Sequence, residues 1–368
     1  MIYYINIFLE IVVGAIILYG VYDGSDLFGQ RAMSLTRKKI YCIFAGSLWI
    51  LISGLRSLTV GSDTDSYYIS YNSVKNINIS ELVDDIYGRY ILHQDIRDPG
   101  YNLFVKLTQI ITENYQVYLI IIAIIFMVPF IIWVIRESKN PIISFVLYSS
   151  LFYAFFSITG IRQTIATAMV VLIGDKWIKN KKLVAFIIIC LLASTIHYSA
   201  LIFIPFYFLS RIPVTKKSIC GWTFAIILAF IFRNQLKTVF IDLSGYTEYS
   251  EDYAGAGTFM FTILLVALFI LSIISYKRDY DLKTNNRFYI ALYLALFFTP
   301  LTWINPSSMR IVQYFSIYLV FLIPEMIESV FDEKSKKIAT IVVVGLLVIL
   351  LIRSQPSYSF FWQDSMLR

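Results

Sequence analysis

The sequence is poor in charged residues, histidine and cysteine. Only 15% of its 368 residues are charged and 58% are hydrophobic, with a mean hydropathy of +0.71. So little polar surface cannot cover a water-soluble globule of this length. The three cysteines have no paired spacing, and the chain has no Gly-rich nucleotide loop and no Ser-His-Asp order. These absences argue against a soluble enzyme, a disulfide framework, ATP hydrolysis and structural zinc.

About twelve apolar segments follow one another along the chain, from residues 2–22 to residues 338–352. A helix needs about 20 apolar residues to cross a bilayer, and it satisfies its own backbone hydrogen bonds there. We therefore predict an all-α, polytopic integral membrane protein with about twelve transmembrane segments in a single domain, residues 1–368. The net charge of +7 is ascribed to loop residues that set topology and not to nucleic-acid binding.

Lysine and arginine concentrate in alternate loops, which the positive-inside rule assigns to the cytoplasm. The remaining loops, chiefly residues 59–114 and 232–257, are predicted to face outward and to carry the active site. The same alternation requires residues 183–209 to form two short segments that meet near His197. It also predicts that residues 101–111, after Asp98-Pro99-Gly100, form a re-entrant or amphipathic surface helix.

Arginines mark the predicted outward ends of several spans, notably Arg56, Arg162 and Arg310. Guanidinium groups bind phosphate oxygens in a bidentate manner and stay charged, so a cluster of them suits a pyrophosphate-linked lipid. Any one of them alone is explained more simply as snorkelling to lipid headgroups, whereas several together favour a ligand. Arg162 and Gln163 also lie in the first turn of a predicted helix, whose free N–H groups would add to the attraction for an anion.

Asp63 and Asp65 follow Gly61 in a predicted turn. The pair could hold a divalent cation, act as a general base toward a sugar hydroxyl, or only cap the turn. Tyr67 and Tyr68 could stack on sugars or belong to an interfacial aromatic belt. We expect no cofactor, with a divalent metal at the two aspartates as an open alternative.

His197 is one of only two histidines and ends an apolar run. It could bind a phosphate, transfer a proton, or satisfy a neighbouring backbone group. A polar residue is costly to keep within a membrane segment, which favours a functional role as much as a structural one.

The order and spacing of these residues resemble the EpsG family of Wzy-like polysaccharide polymerases. The residues that carry the resemblance are Arg56, Gly61 to Asp65 with Tyr67 and Tyr68, Asp98 to Tyr101, Ile161 to Gln163, His197, and Met309 with Arg310. The resemblance implies a polymerase of the bacterial inner membrane. Such an enzyme transfers a growing glycan from undecaprenyl pyrophosphate to the non-reducing end of a lipid-linked repeat unit on the periplasmic face, making O-antigen, capsule or exopolysaccharide.

Under this hypothesis the site residues fall into two groups. The base is one of three residues, Asp63, Asp65 or His197, and the pyrophosphate or substrate contacts are Arg56, Arg162, Gln163, Arg310, Tyr67, Tyr68 and Tyr101. The expected partners are the undecaprenyl-pyrophosphate-linked oligosaccharide and the lipid bilayer, with a chain-length regulator as a candidate.

Two other functions remain open from the sequence. One is a membrane glycosyltransferase that adds a single sugar from a polyprenyl-phosphate donor. The other is a flippase for lipid-linked glycan, a class that usually shows repeated halves and ionisable residues at mid-span. The marked charges here lie at predicted span ends and no internal repeat is found, which favours an enzyme.

Overall fold

The computed structural model describes residues 1–20, 34–244, 258–278, 285–354 and 357–363. Within these residues the fold is helical, and the extended pairing found there is an isolated antiparallel bridge between Arg56 and Phe360. The all-α prediction is therefore confirmed. Of the predicted loop 232–257, residues 245–257 lie outside the described residues.

The chain forms two compact units, which are described separately. Unit 1 comprises Met1–Leu201 and Thr340–Arg368, and unit 2 comprises Ile202–Ala339. The helices of unit 1 are α1 Ile2–Tyr19, α2 Leu35–Gly54, α3 Thr64–Ser73, α4 Ile79–Tyr90, α5 Pro99–Ile111, α6 Tyr115–Glu137, α7 Pro141–Ser150, α8 Phe152–Thr159, α9 Ile161–Thr167, α10 Gly174–Lys179 and α11 Leu183–Ile196. A π-helical stretch, Ala168–Ile173, joins α9 to α10.

Unit 2 is also helical in its described residues. Its helices are α12 Phe206–Leu209, α13 Lys216–Ile231, α14 Arg233–Ser244, α15 Phe259–Arg278, α16 Asn286–Ile304, α17 Met309–Ser316 and α18 Leu319–Val330. The last helix, α19 (Glu333–Ser354), begins in unit 2 and continues into unit 1.

Several helices of the described chain are long and apolar enough to cross a membrane. Three meet this test alone, Tyr115–Glu137, Asn286–Ile304 and Lys334–Arg353, and there are up to six if each of three bent helix pairs is one span. One bent pair is α7 with α8, which meet at Leu151 at an angle of 60°. The predicted count of about twelve spans is not confirmed.

One predicted helix boundary is confirmed, and another lies two residues from its prediction. Helix α11 ends at Ile196, and His197 has extended backbone before a 3-10 helix from Tyr198 to Phe203. Helix α5 begins at Pro99 and not at residue 101, because Pro99 fits the first helical position, where its missing N–H is not needed. Both boundaries border the candidate site described below.

A buried carboxylate ties three helices of unit 1 together. Glu10 of α1 accepts hydrogen bonds from Trp49 Nε1 of α2 at 2.8 Å and from Ser149 Oγ of α7 at 2.9 Å. A fully buried polar group is stable only when it is hydrogen-bonded. These contacts fix the end of α7 immediately before the bend at Leu151, and so fix the direction in which α8 leaves.

Candidate functional site

Asp98 has a backbone conformation that is uncommon for residues other than glycine. Its φ of 45° and ψ of 51° lie in the left-handed region, although the next residue, Pro99, favours an extended predecessor. Its side chain is only 2% exposed. Strained, buried residues of this kind concentrate at functional sites because the surrounding structure must hold them in place.

The Asp98 carboxylate joins the start of α9 to the end of α11. Its Oδ2 accepts a hydrogen bond from Arg162 Nη1 at 2.9 Å and lies 3.5 Å from His197 Nδ1. Its Oδ1 accepts from the backbone N–H of Tyr198 at 3.2 Å. We call these three side chains, Asp98, Arg162 and His197, the site cluster.

The charge of Asp98 is maintained by its neighbours. Burial raises the pKa of its carboxyl group. The hydrogen bond and charge of His197, the charge of Arg162 and the N–H of Tyr198 lower that pKa, and the net result lies below the ordinary value of 3.8. Asp98 is therefore an ionised acceptor at neutral pH, which fixes the direction of the Arg162 guanidinium.

The side chains of Tyr67 and Tyr101 also contact Arg162. Its Nε and its backbone N lie 3.5 and 3.4 Å from the hydroxyl of Tyr67. The guanidinium carbon is 5.8 Å from the centre of the Tyr67 ring and 5.9 Å from that of Tyr101, within the range of cation–π attraction. The Arg162 side chain remains 24% exposed, so a ligand can reach it while the protein orients it.

Tyrosines from three helices form the layer behind Arg162. The Tyr101 hydroxyl lies 2.9 Å from that of Tyr118, and the Tyr68 ring packs edge-on against Tyr115 with 5.0 Å between centroids. Edge-to-face pairs of this kind add about 0.5–1.5 kcal/mol each beyond area burial. Tyr68, one of the predicted substrate residues, is thus tied to α6, whereas Tyr67 and Tyr101 contact Arg162 directly.

The loop that carries Asp63 lies beside the end of α8, whereas Asp65, predicted in the same turn, lies in the first turn of α3. Thr159 Oγ1 is 2.8 Å from Ser62 Oγ and accepts from the backbone N–H of Asp63 at 3.2 Å. The Asp63 carboxylate accepts from Ser62 at 3.1 Å, and the exposed Asp65 carboxylate accepts from the backbone N–H of Ser66 at 2.8 Å. The loop is therefore fixed three residues before Arg162. In the part of the chain that the structure describes, no three His, Cys, Asp or Glu side chains are placed to hold a metal ion.

Arg56 is buried beneath this loop, with 1% exposure. Its Nη1 donates to the carbonyl oxygen of Ser53, and its Nη2 donates to that of Ile158 at 2.9 Å. It therefore caps the carbonyl ends of α2 and α8 together. A direct contact between Arg56 and a pyrophosphate stays a prediction.

Residues 357–363 run alongside the Arg56 segment. The backbone N–H of Ser57 donates to Ser359 O and that of Phe361 to Leu55 O, both at 3.0 Å. The Tyr358 hydroxyl donates to Ile52 O at 2.8 Å. The segment that leads from α2 to the Asp63 loop is thus held in place by backbone hydrogen bonds to residues far away in the sequence.

The remaining predicted residues occupy different places. Gln163 is 3% exposed in the first turn of α9, next to Arg162. Arg310 is partly buried in the first turn of α17, which belongs to unit 2. Unit 1 alone thus brings together Arg162, His197, Tyr67 and Tyr101.

A family model matches residues 39–364, which is most of the chain, and its description is the EpsG family. The chain belongs to the EpsG family. No curated protein and no solved structure matches it. Membership and the apolar helices make this a membrane protein of polysaccharide biosynthesis, of the glycosyltransferase-like polymerase type.

In this EpsG-family chain the sequence pattern did not single out Asp98 as a site residue. Asp98 entered the prediction as the start of a helix with Pro99 and Gly100, and within the Asp98 to Tyr101 stretch that resembles the EpsG family, but with no role of its own. An aspartate before Pro-Gly is read most simply as a turn, because such residues favour turns. The signal that could have marked it is a carboxylate directly before a helix that begins with proline, a position from which the side chain makes no cap hydrogen bond to α5.

Proposed function

We propose that this protein polymerises polysaccharide at the periplasmic face of the inner membrane. It would transfer a growing glycan from undecaprenyl pyrophosphate to the non-reducing end of a lipid-linked repeat unit. The observation that carries the proposal is Arg162, a partly exposed guanidinium oriented by Asp98, Tyr67 and Tyr101. A fixed guanidinium matches phosphate oxygens in geometry as well as in charge.

In the proposed reaction, an acceptor hydroxyl attacks the anomeric carbon of the donor glycan. The bond from that carbon to the pyrophosphate oxygen breaks, and its electron pair leaves with undecaprenyl pyrophosphate. The developing negative charge is stabilised by Arg162. Groups fixed before the reaction stabilise such charge more effectively than water does.

The hydroxyl proton needs an acceptor, and His197 has the most suitable surroundings. Its Nδ1 lies 3.5 Å from Asp98 Oδ2, and a carboxylate in that position orients an imidazole and stabilises its protonated form. Asp63 and Asp65 remain the alternative bases. Arg56 would act indirectly, by holding the ends of α2 and α8 under the loop that presents Asp63.

The experiment is complementation of a deletion strain with Arg162→Ala. We expect the ladder of long polymer to disappear while the single lipid-linked repeat remains, because the leaving group loses its charge partner. Arg353→Ala is the matched control, since Arg353 is exposed near the end of α19, and it should restore a normal ladder. A normal ladder in a well-expressed Arg162→Ala strain contradicts the proposal.

The same strains separate the two alternatives. A single-sugar transferase predicts a product longer by one sugar and no ladder even in the wild type. A flippase predicts that lipid-linked repeats accumulate on the cytoplasmic side when the protein is deleted. The polymerase predicts that they accumulate on the outer side.

A further inference from the structure

Helix α4 carries a row of apolar side chains that the described parts of the chain leave uncovered. Ile79, Val83 and Tyr87 are 43%, 49% and 54% exposed, and Ile91, which caps the helix, is 59% exposed. Residues spaced four apart lie on one face of a helix. We call these four residues the α4 stripe.

The rest of α4 packs against the elements of the site. Leu82 is fully buried in the same core as Tyr71 and Val105. The Tyr90 hydroxyl donates to the carbonyl oxygen of Ser194 in α11 at 3.0 Å. The Arg89 guanidinium lies 5.7 Å from the centre of the Tyr198 ring, and the N–H of Tyr198 is bonded to Asp98. The helix therefore contacts the neighbours of the site cluster while its stripe stays open.

Helix α5, which packs on α4, adds to the uncovered apolar surface. Leu107, Ile110 and Ile111 near its end are exposed. Helix α6 begins four residues later, at Tyr115, and it is long and apolar enough to cross a membrane, with exposed apolar side chains from Val117 onward. The apolar surface thus leads along the chain into this candidate membrane-spanning helix.

The length of α4 limits what can cover the stripe. Twelve residues of helix extend about 18 Å, which is too short for a hydrocarbon core of about 30 Å. The acidic residues Glu81 and Asp84 are also exposed, and at about 100° per residue Glu81 lies about 160° around the helix from Val83 and Asp84 about 140° from Ile79. Four side chains of one short helix also offer far less than the roughly 800 Å² per partner that a stable protein interface buries.

We propose that α4 lies in the plane of the membrane interface, with its stripe against the lipid acyl chains and its acidic arc toward water. Short helices with separated apolar and charged faces bind membranes in this way. This assignment does not depend on the reaction that the protein catalyses. One consequence does rest on the proposed function: α4 would hold the site cluster at the depth of lipid headgroups, where the pyrophosphate of a lipid-linked donor lies.

The experiment is lipid quenching of a fluorophore in the full-length protein. Cys220, the exposed thiol, is first replaced by serine, whereas Cys42 and Cys190 are buried and react poorly. Single cysteines are then placed as Val83→Cys on the stripe and Glu81→Cys on the acidic arc, and are labelled with bimane. The proteins are reconstituted in phosphatidylcholine vesicles with and without brominated acyl chains.

We expect several-fold stronger quenching at position 83 than at position 81. A second pair, Ile79→Cys with Asp84→Cys, should repeat the difference and guards against a variant that fails to fold. Equal quenching within both pairs would overturn the proposal. Quenching at position 83 that weakens as the protein-to-lipid ratio rises would also overturn the proposal. In that case a second copy of the protein, and not lipid, would cover the stripe. Because no turnover is measured, failure here is distinct from failure of the proposed polymerase reaction.

Discussion

Arg162 Nη1 lies 2.9 Å from Asp98 Oδ2, although the two residues are 64 positions apart. The contact joins the start of α9 to the residue before α5, and His197 at the end of α11 meets the same oxygen. Three helix ends therefore share one carboxylate. An arginine held in this way keeps part of its guanidinium for a ligand and loses little freedom when that ligand binds.

Replacing Asp98 by asparagine should weaken the orientation of Arg162 without changing the size of the side chain. A hydrogen bond to a charged group is worth about 1.5–3 kcal/mol, so we expect the transfer rate to fall roughly 10- to 100-fold. The measurement is the initial rate of polymer formation in vesicles. Asp95→Asn is the control, because Asp95 is fully exposed and should matter little. A wild-type rate for Asp98→Asn would show that the carboxylate is not needed.

The stability supplied by Asp98 should depend on pH in a defined direction. Its folded pKa lies below the ordinary 3.8, so its contribution is present above pH 3.8 and is lost as the pH falls through the lower folded value. The difference in thermal stability between the wild type and Asp98→Asn should therefore still be present at about pH 5 and be lost only in stronger acid. A difference that disappears near pH 6 would contradict this assignment.

Gly100 allows α5 to approach α11 closely. A Cβ atom there would clash with Thr195 Oγ1 and lie 2.9 Å from the Thr195 carbonyl carbon, so Gly100→Ala should push the helices apart at a cost of about 1–3 kcal/mol. We expect lower thermal stability together with lost polymer, because Asp98 precedes this turn. Gly345→Ala meets nothing within 4 Å and should be neutral or slightly stabilising. Equal melting temperatures for the two variants would refute the close packing.

The proton acceptor can be identified by comparing His197→Gln with Asp63→Asn. If His197 accepts the proton, its replacement should lower the rate by about 10²–10⁴-fold and remove the pH dependence of the rate, as for other general bases. Asp63→Asn should then lose less than about ten-fold, since the backbone N–H of Asp63 still bonds Thr159. The reverse order of effects would assign the base to Asp63.

Sequence features predicted a substantial part of this fold. The break at His197 followed from the alternation of basic loops along the whole chain. The start of α5 followed, to within two residues, from the neighbouring Asp98-Pro99-Gly100. The bend at Leu151 was not predicted, because residues 141–158 form an uninterrupted apolar run.

The arrangement of the site was predictable only in part. Arg162, Tyr67 and Tyr101 were marked as substrate residues, and the structure brings them together. The burial of Arg56 arises from packing between segments far apart in the sequence, and so does the contact of Asp98 with Arg162. No local pattern records which of several aspartates an arginine will reach.

The pairing of Ser57 with Ser359 has a consequence for biosynthesis. The ribosome completes Ser359 about 300 residues after Ser57, and contacts between such distant positions form late. Until then the segment between Arg56 and the Asp63 loop lacks the backbone partners that it has in the finished protein. The helices of unit 1 can therefore form in order along the chain, but the segment from Leu55 to Ser57 gains these backbone partners only when residues 357–363 have been made.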